Sequence, residues 1–463
     1  MITILSKSTS SLTSPPAGAD ASLCPDVFPE LSEEVSYQKR KVQLLDSLLE
    51  RLNISLSSYR DEVVGDNAQK LRDGVEYLVS QQASDLEIEI QKRLLNDLLD
   101  EVNGLGPLEQ LMGDPSVNDI LVNNPEEVYV ERQGQLLRTP IAFADTKHLL
   151  RIAQRLAARV GRRVDESCPM VDARLSDGSR LNVTIPPVAI DGATISIRRF
   201  PAEPFRMKDL EDRKAMTAEM RQFLMAAVAG KLSFLVSGGT GCGKTTLLNA
   251  LAEGVPHSER IVTVEDSAEL KLRHPHIIRL ESRVANTEGT GAITLRDLVR
   301  NALRMRPDRL LVGEVRGAEA VDMLQAINTG HEGSFSTIHA NTAKDSLTRL
   351  EMMVAIGGFD LPLPVIRAYI SSGIRLVVHL ARLQNGIRRI VRIAELVGIK
   401  NGDYELIDIF RFDPASEVDD PRPYGNFVAT GHVPTCLDRL SMSDPTLQDR
   451  FFQQRTLQRI ERS

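Results

Sequence analysis

The stretch GGTGCGKTT, residues 238–246, carries the most specific structural signal in this chain. Its glycines, lysine and threonine match the spacing G-x-x-x-x-G-K-T of a phosphate-binding loop. An apolar run at 234–236 precedes the loop, and an apolar helix is predicted over 247–251. Glycines let the backbone wrap phosphates with its N–H groups pointing inward, and the start of a helix adds a positive dipole. The stretch therefore predicts a nucleotide-binding domain.

Each side chain of the loop has an expected task. Lys244 reaches the β- and γ-phosphates of ATP, and the Thr245 hydroxyl binds Mg²⁺. Cys242 has two interpretations, a thiol made reactive by the helix N-terminus or a small residue where Ser would also fit, and we favour the second. The residues expected to contact the nucleotide are Gly238, Gly239, Thr240, Gly241, Cys242, Gly243, Lys244, Thr245 and Thr246.

Two carboxylates end predicted strands downstream of the loop. Glu265 follows the apolar run 261–264, and Glu314 follows the run 310–312 after one glycine, where such motifs ordinarily end in Asp. Runs like these suit strands buried on both faces of a parallel sheet, whose carboxyl ends meet at the ligand crevice. An ATPase needs one acidic group for Mg²⁺ and another to position the attacking water, so both are candidates.

Two histidines bracket a further predicted strand. His331 and His339 lie in the segment 329–340, which is crowded with glycines and hydroxyl side chains. An imidazole can hydrogen-bond a phosphate or a catalytic carboxylate, so we expect both histidines to sense the γ-phosphate. Metal binding by the pair is less expected, because no third ligand is in register.

The rest of the chain divides by composition and periodicity. The N-terminal segment is rich in Ser, Thr, Pro and Ala and predicts a disordered tail, after which apolar residues at helical spacing predict a helical unit. Short strands and a helix with Arg151, Arg155 and Arg159 along one face predict an α+β domain, and we expect that basic face to be solvated or at an interface. The C-terminal segment is polar and ends in a charged tail that is predicted to be helical. The predicted boundaries are 1–35 for the tail, 36–103 for the helical bundle, 104–200 for the α+β domain, 201–206 for a linker, 207–400 for the ATPase domain and 401–463 for a C-terminal extension.

The amino-acid composition argues against several classes of protein. The 463 residues carry a formal charge of −7, four scattered Cys, no Trp and 4% aromatics. Scattered cysteines argue against a disulfide framework or a structural zinc, and an acidic, aromatic-poor chain argues against a nucleic-acid motor. No segment reaches the ~18 apolar residues of a membrane span. We therefore expect a soluble, cytoplasmic protein that makes no direct contact with nucleic acid and meets a membrane only peripherally.

The motifs together resemble the type II/IV secretion-system ATPase superfamily. The phosphate-binding loop, an acidic box at 264–270, a Glu-ended box at 311–317 and the histidine segment carry the resemblance. Further motifs look like the CpaF branch, which comprises the tight-adherence (Tad) pilus assembly ATPases. These motifs are GLGPL at 104–108, PMVDARL at 169–175, DGSRLN at 177–182, SIRRF at 196–200 and ATG at 429–431.

The resemblance implies a homo-hexameric ring in which an α+β N-terminal domain stacks on a RecA-like ATPase domain of the α/β class, with nucleotide between them. By their positions in the matching motifs, Arg174, Arg180 and Arg198 are expected to reach the phosphates, where a guanidinium clamps phosphoryl oxygens. Arg279 and Arg283 are weaker candidates from the ATPase domain. The implied partner is a platform protein of the inner membrane.

The leading hypothesis is a Mg²⁺-dependent ATPase that powers extrusion of Tad pilus subunits through the platform. We expect Glu265 to act as the base and Glu314 to hold Mg²⁺ through water, and an exchange of these roles is the open alternative. Other machines driven by the same enzyme are a conjugative, type IV or type II secretion system and a pilus retraction motor. A nucleotide-switched scaffold without turnover is disfavoured because the loop, both carboxylates and His339 are all present.

Overall fold

The computed structural model describes residues 29–52, 66–84, 88–132, 134–200, 203–283, 285, 290–358, 361–415 and 424–461. The chain divides into two compact units. The first unit comprises residues up to 131 together with 136–198, and the second comprises 132–135 together with 199–463. Each unit has its own sheet, of six and ten strands respectively. Among the described residues, no helix is long and apolar enough to cross a membrane.

The first unit begins with three helices, α1 (Pro29–Leu52), α2 (Asp66–Gln82) and α3 (Ile88–Asn103). Their apolar residues at helical spacing pack into one core, which confirms that helices occupy this part of the chain. Because α1 begins at Pro29, the prediction of a disordered tail is wrong for 29–35, and the remainder of that prediction lies outside the described residues.

A six-stranded sheet forms the rest of the first unit, in the order β3-β2-β1-β6-β5-β4. Apolar side chains of α5 pack against it, and the Asp145 carboxylate caps the start of this helix by accepting from the N–H of His148. The elements are α4 (Glu109–Gly113), β1 (Val117–Asn124), β2 (Glu127–Arg132), β3 (Gln135–Arg138), α5 (Thr146–Arg159), β4 (Met170–Arg174), β5 (Arg180–Thr184) and β6 (Thr194–Arg198).

The basic face of α5 is an interface inside this unit. Arg155 donates to the backbone carbonyl of Glu101 at the end of α3, and Arg151 pairs with Asp46 of α1 at 3.2 Å. A solvated face, one of the two expectations for this arginine stripe, is therefore wrong for Arg155, whose guanidinium is largely buried. The cause lies in the tertiary structure, because α3 ends against α5 and presents the backbone carbonyl of Glu101 to Arg155.

The second unit contains eight helices and ten strands among the described residues. The helices are α6 (Met207–Asp212), α7 (Ala218–Ala229), α8 (Lys244–Leu251), α9 (Leu295–Ala302), α10 (Glu319–Asn328), α11 (Ala343–Ile356), α12 (Leu363–Gly373) and α13 (Leu437–Ser443). The strands are β7 (Phe234–Gly238), β8 (Ile261–Glu265), β9 (Ile277–Glu281), β10 (Arg309–Val312), β11 (Phe335–His339), β12 (Leu376–Arg382), β13 (Arg388–Lys400), β14 (Asp403–Pro414), β15 (Gly425–Ala429) and β16 (Arg455–Ile460).

The parallel part of the large sheet runs in the order β12-β7-β11-β10-β8-β9. Every residue of β7, β8 and β10 is buried, as the apolar runs predicted. Phe234 and Val236 face one core cluster whereas Leu235 faces the other, so both sides of the sheet are covered. The loop-bearing strand β7 lies between β12 and β11, the arrangement of a RecA-like core, and the predicted α/β class is confirmed.

The chain beyond residue 400 completes this same sheet. Strands β14, β15 and β16 add to β13 in antiparallel order, and Phe410 and Phe452 pack against Phe223 of α7 with ring centroids 5.5 and 5.9 Å away. The charged end was expected to be helical, which is wrong, because it forms β16 and pairs with β15. Pairing with a neighbouring strand outweighs local helix propensity there.

Candidate nucleotide-binding site

The phosphate-binding loop joins the end of β7 to the start of α8. Gly241 and Gly243 have φ angles of +68° and +98°, in the left-handed region that favours glycine. A Cβ on Gly238 would lie 2.5 Å from both the Cys242 sulfur and the carbonyl oxygen of Leu380. No side chain caps the start of α8, so its first N–H groups are available to a phosphate.

Lys244 lies at the centre of this loop. Its ammonium donates to the carbonyl oxygens of Gly238 and Gly239 at 3.1 and 3.0 Å, and both ring nitrogens of His339 lie within 3.4 Å of it. Burial lowers the pKa of Lys244, against the opposing effect of nearby Cys242 and Glu314. The positive group is therefore held where phosphate oxygens are expected.

Cys242 is a buried side chain of the loop itself, packed in the core of the second unit. Its side chain is 1% exposed, and burial raises the pKa of its thiol. A raised pKa and burial both oppose thiolate reactivity. The small-residue interpretation of Cys242 is the one these observations favour.

Glu314 joins Lys244 and His339 in one polar chain. Its Oε1 lies 3.1 Å from Nε2 of His339, and its Oε2 accepts from Arg316 at 2.7 Å. Arg316 reaches on to Asp266 at 3.4 Å. Burial and the charge of Lys244 lower the pKa of His339. Asp266 directly follows Glu265 in the acidic box, whereas no role was predicted for Arg316, and their proximity depends on the pairing of β8 with β10.

Glu265 ends β8 and is almost fully buried. Its Oε1 accepts from the N–H groups of Glu269 and Leu270, both at 2.9 Å, while Oε2 has no hydrogen-bond partner among the described residues. Burial raises the pKa of Glu265 to about 7, against the opposing backbone hydrogen bonds. A Cβ on Gly313 would lie 2.9 Å from its Cγ, which explains the glycine before Glu314.

His331 does not join this group. It precedes β11 and its ring contacts the backbone carbonyl of Ala326, whereas His339 is the last residue of that strand. Four residue steps along the strand alone separate the two ends by ~13 Å. The expectation that both histidines sense the γ-phosphate is therefore wrong for His331. The two ends of a strand lie far apart, and only the end of β11 at His339 reaches Lys244.

The three arginines of the first unit form a row across its sheet. Arg174 lies opposite Arg180, which lies opposite Arg198, so their side chains share one face. Arg180 pairs with Asp172 at 2.6 Å and Arg198 with Asp119 at 3.2 Å. The pairing of the consecutive strands β4, β5 and β6 thus brings the three arginines together.

Of the two weaker arginine candidates, Arg279 is a residue of β9 and Arg283 follows that strand. Arg279 donates to the carbonyl of Ala268 at 3.3 Å, and Arg283 donates to that of Gly291 at 2.7 Å. Both guanidinium groups thus hold backbone carbonyls. Arg279 also lies close enough to Glu265 to oppose the rise in its pKa.

The loop and its neighbours fit ATP with Mg²⁺. Thr245 is the second residue of α8, and the partly exposed carboxylate of Glu314 lies next to the same loop. In the part of the chain that the structure describes, no three His, Cys, Asp or Glu side chains form a metal cage. Mg²⁺ ordinarily takes one or two protein ligands beside phosphate oxygens and waters, so Thr245 and Glu314 are a suitable donor set.

Sequence comparison places the chain among known proteins. Residues 101–400 match the model of the type II/IV secretion system protein family, which covers more than half of the chain. The chain belongs to this family. With its complete phosphate-binding loop, this secretion-system family member is a P-loop enzyme that hydrolyses ATP, as the motifs predicted.

Two relatives share most of their own length with this secretion-system ATPase. A putative conjugal transfer protein of Mycobacterium tuberculosis is 43% identical over 308 residues, which is 65% of this chain and 87% of that protein. The type IV secretion system protein VirB11 of Brucella suis is 33% identical over 313 residues, which is 61% of this chain and 85% of that protein.

Two solved structures are also similar. The VirB11 ATPase from the Brucella suis type IV secretion system, in complex with sulphate, is 29% identical, with 62% of this chain and 95% of that chain covered and a TM-score of 0.34. The pilus retraction motor PilT with bound ADP is 21% identical, with 75% and 88% covered and a TM-score of 0.46. The family assignment rests on the sequence matches.

Proposed function

We propose that this secretion-system ATPase powers the assembly of Tad-type pilus subunits. The observation that carries the proposal is the cluster at the carboxyl ends of the parallel strands, where Lys244, Glu265, Glu314 and His339 lie around one loop. Such a cluster supports turnover rather than nucleotide binding alone. The flanking motifs that resemble the CpaF branch support the choice of machine.

The residues of the site divide the reaction between them. The loop and Lys244 hold the phosphates, and Glu265, with a pKa of about 7, accepts a proton from the attacking water. Thr245 and Glu314 hold Mg²⁺, which when bound neutralises charge on the phosphate oxygens. His339, between Lys244 and Glu314, reports the presence of the γ-phosphate through its two contacts.

Partners complete the proposed machine. The arginine row Arg174, Arg180 and Arg198 binds phosphoryl oxygens, for which guanidinium geometry is suited. The working form is a homo-hexamer on the cytoplasmic side of the inner membrane, peripherally attached to a platform protein that carries pilin. The family resemblance supports this arrangement.

A single substitution tests the proposal at two levels. Lys244→Ala removes the ammonium that contacts the carbonyl oxygens of Gly238 and Gly239, so phosphate release by the purified full chain should be abolished. In a deletion strain, the wild-type gene should restore surface pilus filaments and the Lys244→Ala gene should not. Undiminished phosphate release, or filaments restored by the variant, would contradict the proposal.

The names of the relatives favour one alternative, a motor for conjugation or type IV secretion. The same strains separate it from the pilus function. If the deletion abolishes transfer of DNA or protein to recipient cells and leaves filaments intact, the alternative is correct and the Tad assignment is wrong.

A further inference from the structure

Thr337 of β11 is a buried hydroxyl residue of the histidine segment. Its side chain is 1% exposed, and its hydroxyl donates to the carbonyl oxygen of Gly313 at 2.7 Å. The backbone carbonyl of the same threonine accepts from the N–H of Val315 at 2.9 Å. Thr337 therefore makes one hydrogen bond on each side of Glu314.

These two hydrogen bonds fix the backbone of Glu314. The carbonyl of Gly313 belongs to the peptide plane before the Glu314 Cα, and the N–H of Val315 belongs to the plane after it. The orientations of the two planes about that Cα are its φ and ψ angles. Because Thr337 holds both planes, it fixes the direction in which the Glu314 side chain leaves the backbone.

Regular strand pairing does not reach this point. The last pair between β10 and β11 is Val312 with Ser336, one residue before Gly313. The N–H of Gly313 is bound on the other side, to the carbonyl of Val264 in β8 at 2.9 Å. The Thr337 hydroxyl thus extends the hold of β11 on this chain beyond the regular ladder.

The same strand also contacts the carboxylate of Glu314. His339 lies two residues after Thr337, on the same face of β11, and its Nε2 is 3.1 Å from Oε1 of Glu314. All five residues of β11 pair with β7, the strand that carries the phosphate-binding loop. Backbone and carboxylate of Glu314 are therefore both held by one strand, at a set distance from the loop.

The rest of this turn has a separate anchor. Oε1 of the buried Glu319, at the start of α10, accepts from the N–H groups of Arg316 and Gly317 at 2.6 and 2.8 Å. Loss of the Thr337 hydroxyl should therefore loosen residues 313–315 without releasing the whole turn.

We propose that Thr337 is a positioning residue for ATP hydrolysis, which keeps the Glu314 carboxylate beside the phosphate-binding loop by fixing the backbone on both sides of it. The loop and Lys244 hold the phosphates, so loss of this hydroxyl should affect turnover more than ATP affinity. The proposal rests on a part for Glu314 in hydrolysis. It applies whether Glu314 holds Mg²⁺ or acts as the base, because both tasks need a carboxylate in a fixed place.

Two substitutions at Thr337 separate the hydroxyl from the shape of the side chain. Thr337→Val keeps the shape and removes the hydroxyl, whereas Thr337→Ser keeps the hydroxyl. For Thr337→Val in the full chain we expect kcat for phosphate release to fall about 10- to 100-fold, with the KM for ATP changed less than about 3-fold. Thr337→Ser should stay within about 3-fold of the wild-type kcat.

Ser334→Ala is the matched control for the loss of a buried hydroxyl. Ser334 is 0% exposed and precedes β11 at the end away from the loop, where its hydroxyl bonds the carbonyl of His331 and the N–H of Leu310 at 2.7 and 2.9 Å. Ser334→Ala and Thr337→Val should each lower the melting temperature by about 2–8 °C. Only Thr337→Val should lower kcat, whereas a purely structural role would lower stability in both variants and turnover in neither.

Hydrogen exchange measures the backbone of Glu314 without turnover. In the wild-type protein the Val315 N–H should exchange at least about 10-fold more slowly than exposed amides, because it is bound to Thr337. Thr337→Val should speed exchange across residues 313–315 by about 10-fold, and Ser334→Ala should leave it unchanged.

Two results with folded variants would overturn the proposal. One is a Thr337→Val variant with wild-type kcat, and the other is a loss of kcat in Thr337→Ser or Ser334→Ala as large as that in Thr337→Val. If Thr337→Val fails to fold, Thr337→Ala and the wild-type exchange decide. Wild-type kcat in Thr337→Ala, or a Val315 N–H that exchanges like exposed backbone, then overturns the positioning role.

Glu314→Gln distinguishes this proposal from the function on which it rests. Wild-type kcat in Glu314→Gln would show that the part proposed for Glu314 in hydrolysis is wrong. An impaired Glu314→Gln variant together with an unaffected Thr337→Val variant would overturn the positioning role of Thr337 and leave the proposed function in place.

Discussion

Two buried glutamates, one in each unit, respond to burial in opposite ways. Glu101 of the first unit is surrounded by cationic and donor groups: Lys41 at 2.8 Å, His148 at 3.0 Å and Arg155 at 3.6 Å. Burial alone would raise its pKa, but the hydrogen bond from His148 and the charge of Lys41 outweigh burial and hold the pKa far below its usual range. The carboxylate therefore stays ionised.

The Glu265 carboxylate of the second unit instead accepts hydrogen bonds from two backbone N–H groups. These two hydrogen bonds do not compensate for burial, and the pKa of Glu265 rises to about 7. Because both carboxylates are buried, the supply of neighbouring cations decides whether each is a permanent charge or a group that can exchange a proton. The permanent charge of Glu101 links helices of the first unit, and a pKa near neutrality suits Glu265 to the proton transfer proposed for it.

The largest expected effect is on turnover. Glu265→Gln keeps the shape of the side chain and removes its basicity, so kcat for phosphate release should fall by about 10²- to 10⁴-fold with the melting temperature preserved. Glu166→Gln, a change at an exposed residue of the first unit, is the matched control and should be neutral. If Glu265→Gln retains wild-type kcat while Glu314→Gln does not, the two carboxylates exchange their proposed roles.

The next effect is on stability. Glu101→Gln leaves Lys41 buried without its counter-charge, which should lower the free energy of unfolding of the first unit by about 3–5 kcal/mol. Urea unfolding of the full chain measures this loss. The double variant Lys41→Met with Glu101→Gln should regain part of it, and a cost below about 1 kcal/mol for the single variant would show that the cluster is not a buried ion pair in solution.

The smallest effect is a pH dependence of stability with opposite signs at the two sites. Glu265 has a folded-state pKa of about 7 against an ordinary value of 4.5, so its contribution to stability is full below pH 4.5 and is lost as the pH rises through 7. Glu101 has a lowered pKa, so its contribution is present above its ordinary value of 4.5 and is lost only on further acidification. Between pH 5 and pH 8, Glu265→Gln should therefore remove a fall of about 1–3 kcal/mol that the wild type shows. Equal slopes for wild type and variant would contradict the raised pKa.

Short-range patterns account for what could be predicted. The loop, the apolar strands β7, β8 and β10 and the helix after the loop were all predicted, because each depends on residues within one turn or one strand of each other. The carboxyl-end positions of Glu265 and Glu314 followed from the same strands. Backbone geometry ties such residue types to such conformations wherever they occur.

Pairing between strands that are distant in sequence accounts for the features that could not be predicted. Thr337 is 24 residues from Gly313, and its hydroxyl reaches this glycine only because β11 pairs with β10. The helical expectation for the C-terminal end failed for the same reason, since β16 depends on a partner strand. The prediction for His331 failed because the other end of β11, at His339, is the one that reaches the loop.

The sequence alone was enough to predict a phosphate-binding loop on an α/β sheet, with two acidic groups and two histidines expected near it. The folded arrangement is what raises the pKa of one buried carboxylate towards neutrality and what brings His339 rather than His331 beside Lys244. Hydrogen bonding, burial and charge act through space rather than along the chain. Their strength at Glu101, Glu265 and His339 depends on neighbours from distant parts of the chain.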